Sequence, residues 1–255
     1  MSEDTKTAEP LNVPAAGPAH FAKNFIRLAV CELRFPTLFE LSENPRPPVD
    51  FAKALRKEYP TYELLNDVNL NPGGVAQAIV HSFRSKKGRW AVTLRAAAVS
   101  LETSNYDAFG EFVDRLSLIL EAAKITIDSD FFTRVGLRYI NTVPFDRSTI
   151  CEWVNPALVR PLGDGTFGDA DEHLQLVRGR TNEGGYTFRH RLLNATPGGT
   201  RDYELDFDFY SEDVPVTETI ETVKRLHDLE FSMFMWSLGP KAKVELGSST
   251  PKADR

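Results

Sequence analysis

The chain has 255 residues, 42% of them hydrophobic and 26% charged, with a formal net charge of −6 and a pI near 5.5. That is enough apolar material for one large core or two small ones, and the charge excludes whole-surface attraction to nucleic acid or anionic membrane while leaving room for a local basic patch. No run approaches the roughly 18 apolar residues that cross a bilayer, and Cys31 and Cys151 lack the spacing of a disulfide framework or a zinc site.

The opening "MSEDTKTAEPLNVPAAGPAH" is acidic where a secretory leader needs a basic start, and it holds too little apolar surface to fold. Residues 1–22 are therefore expected as a disordered tail of a cytoplasmic protein. Phe25 to Phe35 reads as a strand, and "RPPVDFAKALRKEYP" as a helix with proline near its start and Pro60 past its end. Three strands follow in "VAQAIVHSFRS", "RWAVTL" and "AAVSLET". Asp107 then opens a long helix whose stripe is Phe109, Phe112, Val113, Leu116, Ile119, Leu120 and Ala123.

The second half repeats this order. "FTRVGLRYINTV" is a strand, "STICEWVNPALV" a short helix, and "EHLQLVRGR", "YTFRHRLL" and "YELDFDFY" three more strands before a long helix from about Pro215 to Leu238. "RLAV" at 27–30 sits where "RVGL" at 134–137 sits. The expected fold is a single α+β domain, 23–240, of two pseudo-equivalent halves (23–127 and 128–240), each a strand, a short helix, a three-strand antiparallel meander and a long helix packed on the sheet. Residues 241–255 are expected as a second disordered tail.

"GDGTFG" at 163–168 matches the glycine pattern of a dinucleotide site, but acid follows where phosphate would lie, so it reads as a surface loop. "NPGG", "NEGG" and "TPGG" read as turns. In "YELDFDFY", Tyr203, Leu205, Phe207 and Phe209 share one face and Glu204, Asp206 and Asp208 the other. Three carboxylates on one face could hold a metal or do acid/base work. Alternatively they face water and pair with Arg189 and Arg191, which lie opposite Asp206 and Glu204 if "ATPGGT" joins the strands symmetrically. On the last helix His227 and Glu230 fall at i and i+3 within the apolar face, where they form a buried polar pair or a general base. "FSMFMW" reads as core, and His20, His81, His173 and His190 have no catalytic or metal spacing. The patterns call for no cofactor and no metal.

The strand "RVGLRYINTV" carries Val135, Leu137, Tyr139, Asn141 and Val143 on one face and Arg134, Gly136, Arg138, Ile140 and Thr142 on the other. Gly136 leaves a gap between two guanidinium groups, which could clasp a carboxylate or phosphate or could pair with carboxylates such as Glu102 or Asp206. Arg134, Gly136, Arg138 and Asn141 are thus the candidate ligand-binding residues.

This segment, with "AVCELRFP" near the start and "LHDLEFSMFMWSL" near the end, resembles a sporadically distributed family of uncharacterised bacterial proteins of about 250 residues. The resemblance implies a bacterial cytoplasmic protein, and scattered distribution associates with mobile or defence-linked loci. It brings no catalytic residues. The leading expectation is a non-catalytic binding protein for a protein partner or a small anionic ligand. The alternatives are a metal-dependent or acid/base hydrolase using His227, Glu230, Glu204, Asp206 and Asp208, and a nucleic-acid accessory protein using Arg134, Arg138, Arg178, Arg180, Arg189 and Arg191.

Overall fold

A computed structural model of the chain describes residues 11–17, 21–43, 45–71, 74–194 and 201–247, without the side chains of 43, 67–71 and 74–77. Its strands are β1 (Ile26–Arg34), β2 (Thr61–Asn71), β3 (Gly74–Arg84), β4 (Trp90–Arg95), β5 (Ala98–Thr103), β6 (Phe131–Phe145), β7 (Leu174–Thr181), β8 (Gly184–Leu192) and β9 (Arg201–Pro215). Its helices are α1 (Phe39–Glu43), α2 (Val49–Leu55), α3 (Phe109–Ile127), α4 (Ile150–Trp153), α5 (Pro156–Gly163), α6 (Thr219–Ser237) and α7 (Pro240–Leu246). The fold is α+β, with an antiparallel sheet in the strand order β2-β3-β4-β5-β1-β6-β9-β8-β7.

The chain divides into two compact units, one of Leu28–Arg138 with Tyr210–Lys224, the other of the remaining residues. These bounds differ from a division at 127, because β1, β6, β9 and α6 each carry residues of both units. The first half also holds four strands after its helices and not three. The extra strand, β2, is spelled "TYELLNDVNLN", whose Asn and Asp residues disfavour a strand on propensity alone; its register with β3 along its whole length supplies what propensity lacks.

In the unit of Leu28–Arg138, α3 forms because apolar residues recur at helical spacing: Phe112, Leu116, Ile119, Leu120, Ala123 and Ile127 are all buried. Asp128 ends it in the left-handed region at φ 43°. Trp90 lies 5.8 Å from Phe112, and Phe51 of α2 meets Phe83 edge-on at 5.6 Å.

In the other unit the core is aromatic. Phe188 of β8 stacks on Phe207 of β9 at 4.8 Å, and Phe234 of α6 meets Phe207 at 89°. Asn155 accepts from Ala157 N to start α5 while its amide donates to Trp236 O at 2.8 Å. Gly239 N donates to Trp153 O, and a β-carbon at 239 would collide with the backbone of Glu152. That close approach seats α7, where Ala242 and Leu246 are buried. Residues 241–247, expected as tail, therefore belong to the folded unit, and Lys23 N donates to Leu246 O. Residues 1–10, 18–20 and 248–255 of the expected tails lie outside the described residues, as does the "TPGG" turn.

Candidate functional site

The residues proposed from "RVGLRYINTV" do not converge. Arg134 folds back over its own strand, its guanidinium 4.5 Å from the Tyr210 ring centre and 3.9 Å from Glu32 Oε1. The space above Gly136 is filled by that guanidinium, with Cζ 2.8 Å from where a β-carbon would stand. Arg138 is half-buried. Asn141 is 1% exposed, and its place in the alternation of β6 puts it on the face opposite the two arginines.

His227 and Glu230 both reach Tyr139. The Tyr139 backbone N–H donates to Glu230 Oε1 at 2.9 Å, and the Tyr139 hydroxyl shares a hydrogen bond with His227 Nδ1 at 3.2 Å. Glu230 thus completes the pairing of a strand amide from a helix, a structural task. Burial pushes the His227 imidazole down to about 4.

The acidic face of β9 is paired in the register read from the loop. Arg191 Nε donates to Glu204 Oε1 at 2.7 Å, and Arg189 Nη2 donates to Asp206 Oδ2 at 2.5 Å. These carboxylates do not face water: Glu204 and Asp206 are 5% and 4% exposed, lying beneath the arginines. Among the described residues no three His, Cys, Asp or Glu side chains are placed to hold a metal ion.

The same register carries a cluster that spacing rules passed over. The Tyr203 hydroxyl sits 2.7 Å from His190 Nδ1 and 2.9 Å from His173 Nδ1. His190 is fully buried and its Nε2 has no partner among the described residues. A bare lone pair is cheaper to bury than an N–H, so His190 carries its proton on Nδ1 and donates to Tyr203, whose hydroxyl donates to His173. Burial, reinforced by His173, pushes His190 down to about 4, and burial raises the Tyr203 phenol. His81 repeats the motif with Tyr62 at 3.1 Å. These histidines work as hydrogen-bond partners of tyrosines, while His20 lies outside the described residues.

"GDGTFG" begins at the last residue of α5 and runs into a turn, without the strand before and helix after that a phosphate loop needs. Its Gly168 borders a cleft of about 220 Å³ with Phe145, Arg147, Leu162, Asp169, Ala170 and Arg201. Arg147 pairs with Asp169 at 2.9 Å, and Arg201 donates to the carbonyls of Ala170, Asp171 and Leu193, so both cations brace the surrounding loops.

The sheet ends at β2 and at β7, and both have exposed apolar side chains, Tyr62, Leu64 and Leu65 being 40%, 41% and 40% exposed on β2; two exposed arginines, Arg178 and Arg180, set apart β7. It ends the strand order, and β8 is the strand it pairs with. Leu174, Leu176 and Val177 are 52%, 48% and 44% exposed, values at odds with a strand that covers a core. Leu192 N donates to His173 O, and the register pairs Leu174 with Arg191 through Thr181 with Gly184. In an antiparallel pair the bonded positions alternate, so 175, 177 and 179 direct their main chain to β8. Leu174, Leu176, Arg178 and Arg180 direct theirs outward. The side chains of these four share the face of Arg189 and Arg191. Arg178 and Arg180 are exposed and have no ion-pair or hydrogen-bond partner among the described residues. On the other face the Tyr186 ring lies across Gly179, where a β-carbon would come within 2.6 Å of it. Of the arginines proposed for nucleic acid in this unit, Arg189 and Arg191 are committed to carboxylates and Arg178 and Arg180 are not.

No helix among the described residues is long and apolar enough to cross a membrane. No protein-family profile matches the chain, and a search of curated proteins finds no match.

Proposed function

We propose that the protein is a non-catalytic interaction protein that receives an extended segment of a protein partner along β7, adding it to the sheet as a further strand. The observation that carries this reading is the edge itself: a terminal strand with three exposed large apolar side chains and an outward row of amides and carbonyls at 174, 176, 178 and 180. Exposed apolar edges are usually shortened, covered or bent away, because unpaired main-chain groups template pairing with another chain. A strand that keeps its apolar side chains and whose outer edge meets no further strand among the described residues is suited to strand addition, in which the main chain supplies affinity and alternate side chains supply selectivity.

A bacterial cytoplasmic setting, and membership of the sporadic family that "RVGLRYINTV" resembles, belong to the same proposal; Cys31 and Cys151, neither of them in a disulfide, suit a reducing compartment. Hydrogen exchange tests the reading residue by residue. In the isolated protein the amides of Leu174, Leu176, Arg178 and Arg180 exchange fast while those of Gln175, Val177 and Gly179 are protected. A co-purified partner from the native host should slow the first set. A partner that leaves those four amides as fast as before, and protects another surface, overturns the proposal.

A further inference from the structure

We infer that the segment β7 receives is acidic, with carboxylate side chains at alternate positions facing Arg178 and Arg180 and apolar side chains beside Leu174 and Leu176. This rests on the strand-addition reading and specifies the partner's chemistry.

On the outer face of the hairpin each row across the strands is explicit. Leu174 neighbours Arg191, which is held by Glu204; Leu176 neighbours Arg189, which is held by Asp206; Arg178 neighbours Thr187, and Arg180 neighbours Gly185. The first two rows are closed, since each guanidinium has its carboxylate within the unit. In the next two rows the β8 neighbours Thr187 and Gly185 offer no charge, and Asp208, the β9 residue beyond Thr187 on the same face, forms no ion pair with Arg178 or Arg180. A strand laid outside β7 supplies the missing neighbour on the open side, and at Cβ separations of about 4.5–5.5 Å opposite charges across a strand pair attract while like charges repel.

The same two arginines select against other occupants. A second copy pairing β7 to β7 brings its own Arg178 and Arg180 onto one face with these, so self-addition places like charges on a shared surface. Nucleic acid would gain from the cations but makes no use of the outward amides in strand spacing, nor of Leu174 and Leu176. An acidic extended peptide is the occupant for which the main chain, the apolar residues and the charges all find complements.

The test uses the full chain and fluorescently labelled eight-residue peptides of alternating β-branched pattern, with two alternate positions occupied by Glu, Gln or Lys. The Glu peptide should bind roughly 2- to 30-fold tighter than the Gln peptide, the range two cross-strand ion pairs supply. Rising salt should narrow the gap, and the Lys peptide should be weakest. Arg178→Glu combined with Arg180→Glu should reverse the order. Leu176→Pro removes an outward N–H without removing a bond to β8, so the variant should fold, checked by circular dichroism, and lose all three peptides. Equal binding of Glu, Gln and Lys peptides by the parent, lost in Leu176→Pro, overturns the acidic preference and leaves strand addition standing. Undiminished binding by a folded Leu176→Pro variant, or no binding of any peptide at millimolar concentration, overturns both.

Discussion

The guanidinium of Arg134 lies over Gly136, two residues ahead on the same strand, in the volume that any other side chain at 136 would enter. The glycine makes room for a cation held against Tyr210 at 4.5 Å. Gly136→Ala must push that group away, forfeiting a cation–π contact of about 0.5–2 kcal/mol. In an Arg134→Ala background that guanidinium no longer opposes the change, and alanine suits a strand better than glycine does. Urea denaturation of the four proteins in this cycle should give a coupling of about 0.5–2 kcal/mol. Additive effects would mean that the glycine serves some other contact.

Glu230 and His227 divide their work unequally. Glu230 is fully buried and accepts from the Tyr139 amide, whereas His227 is half-buried and bonds the Tyr139 hydroxyl. Glu230→Ala leaves a strand N–H without its acceptor and should cost about 1–3 kcal/mol. His227→Phe, made together with Tyr139→Phe, replaces both partners by apolar groups and should cost less. Denaturation midpoints decide between them, and a larger loss from the His227/Tyr139 pair would reverse the assignment.

What was legible in the sequence depended on the range of the information. The long helices α3 and α6 are visible because their apolar residues recur every three or four positions. The Arg191–Glu204 and Arg189–Asp206 pairs followed from a symmetric hairpin, although the joining loop itself lies outside the described residues. That same register sets His190 diagonally beside Tyr203, so the histidine cluster is legible from strand pairing and invisible to linear spacing. Short α7 carries too few turns for a periodic signal, and its burial comes from a close backbone approach at Gly239. The exposure of Leu174 and Leu176 was unreadable, because whether "LQLVRGRT" ends a sheet or lies within it is a property of long-range strand order.

The Arg191–Glu204 pair has its carboxylate inside and its guanidinium partly outside, with side chains 6% and 41% exposed respectively. Removing the arginine leaves the buried carboxylate only Arg189 among the described residues, 4.0 Å away, so Arg191→Ala should cost about 1–3 kcal/mol. Arg191→Val combined with Glu204→Val removes the charge with its partner and suits the strand, so most of that loss should return. Thermal denaturation of the two variants checks the order. A double variant less stable than Arg191→Ala would show that Glu204 has a further task on this face.

The His190–Tyr203–His173 chain makes stability depend on pH in a defined direction. His190 sits at about 4 in the folded protein against about 6.5 unfolded, because burial disfavours the imidazolium. Between these values the unfolded chain binds the extra proton, so stability is full above pH 6.5 and falls as the pH is lowered toward 4. His190 alone should contribute a loss of about 2 kcal/mol by pH 5. His173, His81 and His227 are lowered in the same direction and steepen the fall. General carboxylate titration sets in below about pH 5, so the interval from 7 to 5 isolates the histidines. His190→Phe with Tyr203→Phe removes the buried titrating ring and its hydroxyl together, leaving His173 without its hydroxyl partner. Urea midpoints measured across that interval should fall steeply for the parent and more gently for the double variant. Parallel slopes for the two proteins would mean that the His190 imidazole is not held neutral by burial.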